Sequence, residues 1–96
     1  MFKNKRYVTR GIAAAIFPQM QTLLWYLIDS MDGPEKDYLQ VFQLEPDGEK
    51  QRVLHTQEEP PYRNEHLLKF GDVPVRVKIF VIDDGDHSTM LLAEEY

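Results

Sequence analysis

The chain has 96 residues, enough for one domain around one modest core. With 43% apolar and 28% charged side chains it is a folding chain and not a disordered one. It has no cysteine, which excludes disulfides, thiol catalysis and thiolate zinc sites and fits a cytoplasmic setting. The net charge of −5 argues against nucleic acid as a partner, because duplex binders carry a basic stripe.

The charge is uneven. Residues 1–28 hold Lys3, Lys5, Arg6 and Arg10 and no acid. Within them "IAAAIF" is too short for a signal-peptide apolar region, and "LLWYLI" is far too short to span a membrane. Neither a leader nor a membrane segment is expected.

"KRYVTRGI" is rich in β-branched and aromatic residues and predicts a first strand, with Gly11 at a bulge or bend. "FPQMQTLLWYLIDSMDG" predicts a helix. Pro18 suits its first turn, where a missing N–H leaves nothing unpaired. Met20, Leu23, Leu24, Leu27, Ile28 and Met31 recur at helical spacing and form one apolar stripe. Asp32-Gly33-Pro34 is the expected stop.

Tyr38 to Leu44 and Gln51 to Gln57 predict two strands joined by the turn "PDGE". Pro60-Pro61 then interrupts regular pairing, and residues 58–74 read as a long loop with a helical turn or two between Tyr62 and Phe70. "VRVKIFVI" alternates, with Val75, Val77, Ile79 and Val81 on one side and Arg76 and Lys78 on the other. "STMLLAEE" is its hairpin partner and runs almost to Tyr96. A two-residue Asp84-Gly85 turn would set Val81 opposite Ser88, Ile79 opposite Met90 and Val77 opposite Leu92, with apolar residues of both strands on one face.

The expected architecture is a single α+β domain over residues 1–96, a two-layer sandwich. A mostly antiparallel sheet of four to five strands packs on one amphipathic helix, in the order β-α-β-β-β-β.

"VIDDGDHSTM" is the one stretch that suggests chemistry. Asp-Gly is a strong hairpin signal, and that reading explains the run by itself. The rival reading is a metal-binding protein or metal-dependent hydrolase. It would use Asp83, Asp86 and His87 together with His55 and Glu58, and it requires two segments distant in sequence to converge. The spacing of a calcium loop is missing. Ser88 beside His87 forms no nucleophile pair, since adjacent strand residues face opposite ways. No phosphate loop, GxSxG or HExxH is present, and no cofactor is implied.

On a helical wheel Trp25 falls about 140° and Tyr26 about 240° from Met20, off the apolar stripe. With Tyr62 in the Pro-rich acidic loop, they are the candidate contact residues, because exposed aromatic rings are typical interface anchors. Together these features point to a non-enzymatic protein-interaction domain, binding a protein partner or forming a homodimer through a sheet edge.

"KNKRYVTRGI", "LLWYLID", "DYLQVFQLEPDG", "HTQEEPPY" and "KIFVIDDGDHSTMLLAEEY" together resemble domain-of-unknown-function family 960, small proteins of low-GC Gram-positive bacteria. The resemblance spans nearly the whole chain and is looser between about residues 60 and 75. It implies a bacterial, cytoplasmic, one-domain protein. It brings no activity, cofactor or site residue with it.

Overall fold

A computed structural model describes residues 1–32, 35–71 and 73–96. Its strands, numbered along the chain, are β1 (Lys5–Val8), β2 (Leu39–Asp47), β3 (Lys50–Gln57), β4 (Tyr62–Leu68), β5 (Val77–Asp83) and β6 (His87–Leu92). They form one sheet in the order β1-β6-β5-β2-β3-β4. Two helices, α1 (Arg10–Ala15) and α2 (Pro18–Asp29), lie between β1 and β2 in the chain, and a 3-10 turn (Ala93–Glu95) follows β6. The α+β class is as expected. The sheet has six strands and not four to five, and it is mixed, because β1 pairs in parallel with β6.

α2 starts at Pro18 and buries Met20, Leu24, Leu27 and Ile28. They join Phe2, Ile12 and Ile16 in one cluster with Phe42, Leu44, Val53, Ile79, Val81, Met90 and Leu92 of the sheet. Each such side chain contributes roughly 1.5–3 kcal/mol when fully buried. The helix ends at Asp29, before the expected stop, and the Ser30 N–H and hydroxyl both donate to the Tyr26 carbonyl, at 2.9 and 2.7 Å. Met31 therefore lies beyond the helix, and Gly33 and Pro34 of the expected stop lie outside the described residues.

The hairpin register differs from the expected one by two residues. Asp83 faces Ser88, Val81 faces Met90 and Ile79 faces Leu92. The Asp84 N–H donates to the His87 carbonyl at 3.0 Å, so the tip of the turn is Gly85-Asp86, one residue beyond Asp84-Gly85, and every pairing moves by two. A shift of two preserves the face, and the predicted apolar side remains the buried one.

Two segments were expected to be something else. β4 occupies the predicted loop, and Tyr62 to Leu68 form no helical turn. The reason is β3, whose outward backbone groups need partners and find them in this segment from Gln51↔Leu68 to Gln57↔Tyr62. The prolines supply only the connection. The first strand stops at Val8, because the Thr9 hydroxyl accepts from the Ile12 N–H at 3.3 Å and caps α1. The last strand ends at Leu92, short of Tyr96.

Gly11 is thus helical and not a bulge, and a close contact explains the residue. A Cβ there would lie 2.6 Å from a Glu95 carboxylate oxygen. That carboxylate accepts from the Thr9 hydroxyl at 2.6 Å and the Leu92 N–H at 2.8 Å, tying the end of the chain to the start of α1. Gly11→Ala should therefore destabilise the protein. In a Glu95→Ala background the clash is gone, and the same substitution should stabilise by about 0.5–1 kcal/mol, as alanine does in a helix. Urea denaturation of the four variants checks this change of sign.

Candidate functional site

The predicted site residues fall into three environments. Asp83 is buried at the end of β5. Its carboxylate accepts from the Phe2 N–H at 2.6 Å, the Gly85 N–H at 2.8 Å and the Asn4 amide at 3.0 Å. Burial pulls this carboxyl upward, but the hydrogen bonds from Phe2, Gly85 and Asn4 outweigh it and hold it below its ordinary value. Asp84 accepts from the N–H groups of Asp86 and His87 at 3.2 and 3.1 Å, and its second oxygen lies 3.1 Å from His87 Nε2. Asp86 itself is exposed. Asp83 and Asp84 thus spend their carboxylates on the turn itself and on the N-terminal arm.

His55 sits in the middle of β3, fully buried on the helix-facing side. Its ring stacks on Phe42 at 4.3 Å, and Tyr62 stands edge-on at 5.2 Å. Nε2 lies 2.7 Å from Gln40 Oε1. The Gln40 amide nitrogen donates to Asp37 O and Gln57 Oε1, which fixes Oε1 as the atom facing His55. The proton therefore belongs on Nε2, and Nδ1 has no partner among the described residues. Burial, with the nearby His66 second, lowers the His55 pKa to about 4, so the ring is neutral at pH 7.

Gln57 continues this network. It accepts from the Asp37 N–H at 2.8 Å and donates to Glu35 O and Pro60 O at 2.9 and 2.8 Å. His55 is thereby tied to the chain entering β2. Glu58 is exposed, just past the end of β3. Among the described residues, no three His, Asp or Glu side chains are grouped to hold a metal ion.

The expected contact aromatics are also dispersed. Trp25 is half-buried under the Arg6 guanidinium, 4.7 Å from the ring centre. Arg6 in turn reaches Asp29 and the Phe2 carbonyl. Tyr26 stands in solvent, and Tyr62 packs against His55.

The most extensive candidate surface is one that was not predicted. Both helices cover the same side of the sheet, and among the described residues no helix or strand covers the other. The uncovered side presents Leu39 and Val41 of β2, Phe80 and Ile82 of β5, and Leu91 of β6, all half-buried. Cross-strand pairing makes them contiguous: Leu39 faces Ile82, Val41 faces Phe80, and Phe80 faces Leu91. Exposed Tyr7, Tyr38 and Tyr96 surround them. A cleft of about 450 Å³ includes Leu39, Val41 and Thr56, lined also by Asp37, Glu58 and Glu59 and by Lys78, whose ammonium lies 5.7 Å from the Phe80 ring centre. A solvated antiparallel face ordinarily carries polar residues, so this apolar strip is the feature that calls for a partner.

A family model described as "Staphylococcal protein of unknown function (DUF960)" matches residues 5–95. The chain belongs to the DUF960 family. A solved structure similar to this DUF960 chain, "Crystal structure of the protein of unknown function from Enterococcus faecalis", has a TM-score of 0.83 at 24% identity. The match covers 97% of this chain and 91% of that one, and it bears on the fold alone. No curated protein matches the chain. No helix among the described residues is long and apolar enough to cross a membrane.

Proposed function

We propose that this DUF960 protein is a non-enzymatic interaction module whose open sheet face receives a protein segment with both apolar and cationic side chains. The observation that carries the reading is the apolar strip Leu39, Val41, Phe80, Ile82 and Leu91 on a face without a second layer. Asp37, Glu58 and Glu59 outweigh Lys78 in the cleft beside it, and this acidic balance favours a cationic partner. The surrounding tyrosines supply rigid rings with a polar tip, the side chains that anchor interfaces.

The test is an amide NMR titration with a synthetic Leu/Lys peptide and its Leu/Glu counterpart. The Leu/Lys peptide should shift residues of β2 and β5 around Val41 and Phe80. Phe80→Asp should abolish those shifts, and Glu58→Gln with Glu59→Gln should weaken binding severalfold. Shifts confined to α2, equal response to the acidic peptide, or no response would each overturn the proposal.

A further inference from the structure

We infer that β4 is a self-pairing edge, through which two copies of this chain join their sheets antiparallel about a two-fold axis at Asn64. β4 is the last strand in the sheet order, with β3 on one side only. Its seven residues run without interruption, Tyr62-Arg63-Asn64-Glu65-His66-Leu67-Leu68. Half of their backbone N–H and C=O groups point away from β3 and offer a second ladder. The opposite edge, β1, has only four residues and carries Lys5 and Arg6, a charged and short edge of the kind that resists pairing. β4 contains no lysine and no proline.

The side chains select the register. Backbone groups match only if a residue pointing outward meets another pointing outward, so the two-fold must pass through a residue. At Arg63 or at Glu65 it would set like charges directly opposite. At Asn64 it sets Arg63 opposite the second copy's Glu65 and Glu65 opposite its Arg63, with Tyr62 opposite His66. Both charged residues are exposed. Among the described residues of its own chain Glu65 is engaged only at 3.9 Å by Arg52, whose nearer partner is Asp47 at 2.7 Å. Among the described residues Arg63 takes part in no ion pair. The strand is therefore charge-complementary to itself in one register. The axis stands perpendicular to the sheet, so the two open faces lie on the same side. This inference is independent of what binds those faces.

The experiment is sedimentation velocity on the full chain over a range of concentrations. The wild type should dimerise. Arg63→Glu sets Glu against Glu, and Glu65→Arg sets Arg against Arg. Each alone should raise the dissociation constant about tenfold or more. Mixed in equal amounts, the two variants regain opposite charges at both positions and should form a heterodimer as tight as the wild-type dimer. Phe80→Asp, on the open face, should leave the dimer intact. A wild type that stays monomeric at millimolar concentration overturns the inference. So does a single variant that dimerises normally, a mixture that stays monomeric, or a dimer lost with Phe80→Asp. Circular dichroism of each variant confirms that the fold is retained.

Discussion

Between pH 6.5 and pH 4 the protein is expected to lose up to roughly 3 kcal/mol of stability through His55 alone. The unfolded chain takes up a proton on this ring near 6.5, and the folded chain refuses it until about 4. A folded-state pKa below the unfolded one means that stability is fully present above pH 6.5. It drains as the pH falls, at about 1.4 kcal/mol per unit, and levels off below 4. The cause is geometric. Among the described residues Nδ1 faces no partner, Nε2 already donates to Gln40, and Phe42 covers one side of the ring. A second proton would place a charge where neither water nor a carboxylate can meet it.

His55→Phe isolates this contribution. It keeps a ring against Phe42 but leaves Gln40 Oε1 unbonded, at about 1–2 kcal/mol at pH 7. Its stability should then vary less with pH than the wild type's, and the two curves should cross between about pH 6 and pH 5. Urea denaturation at half-unit intervals measures the difference. Curves that stay parallel from pH 7 to 4 would remove His55 as the source of the acid sensitivity.

Hydrophobic patterning alone located α2, the two hairpins and most of the core. Helical spacing found Met20, Leu24, Leu27 and Ile28, and strand alternation found Ile79 and Val81. What escaped were features decided by distant partners. β4 has weak alternation and exists because β3 needs a neighbour, which no local signal in "YRNEHLL" states. α1 depends on a threonine cap within a segment whose composition favours a strand. The apolar outer face did leave a trace. In "KIFVI" and "YLQVFQL" apolar residues occupy both phases, with Phe80 and Ile82 beside Ile79 and Val81, and Leu39 and Val41 beside Phe42 and Leu44. A strand that has lost its alternation reads as covered on both faces, and here only one cover belongs to the chain. His55 was legible as a strand histidine. That its partner would be the buried Gln40, itself bonded to Gln57, depended on the register of β2 against β3.

Asp83→Ala should cost roughly 3 kcal/mol, whereas Asp86→Ala should change stability by no more than about 0.5 kcal/mol. The two residues look interchangeable in "IDDGDH", and their surroundings separate them. Among the described residues Asp83 is the only acceptor for the buried Phe2 N–H, and it also holds Asn4 and the turn at Gly85. Asn4 extends the arrangement by accepting from Ser88 Oγ at 2.6 Å. Phe2 depends on that hold, because its φ of 67° is a left-handed conformation that costs a bulky residue about 1 kcal/mol or more. Its buried ring offsets the strain only while the arm is docked. Without the carboxylate, the arm should loosen and expose Phe2, and amide exchange at Phe2 and Asn4 should rise with the loss of stability. Asp83 also sets an acid limit of its own. Its folded-state pKa is depressed, so its contribution is complete above the ordinary value of 3.8 and is lost as the pH falls below it, beneath the window governed by His55. A metal site would order these residues differently. Asp83, Asp86 and His87 would then lose stability together, and only while the ion was present. Equal effects of Asp83→Ala and Asp86→Ala, both abolished by a chelator, would make the hairpin a binding site. Unequal effects that a chelator leaves untouched make it the clamp on the N-terminal arm.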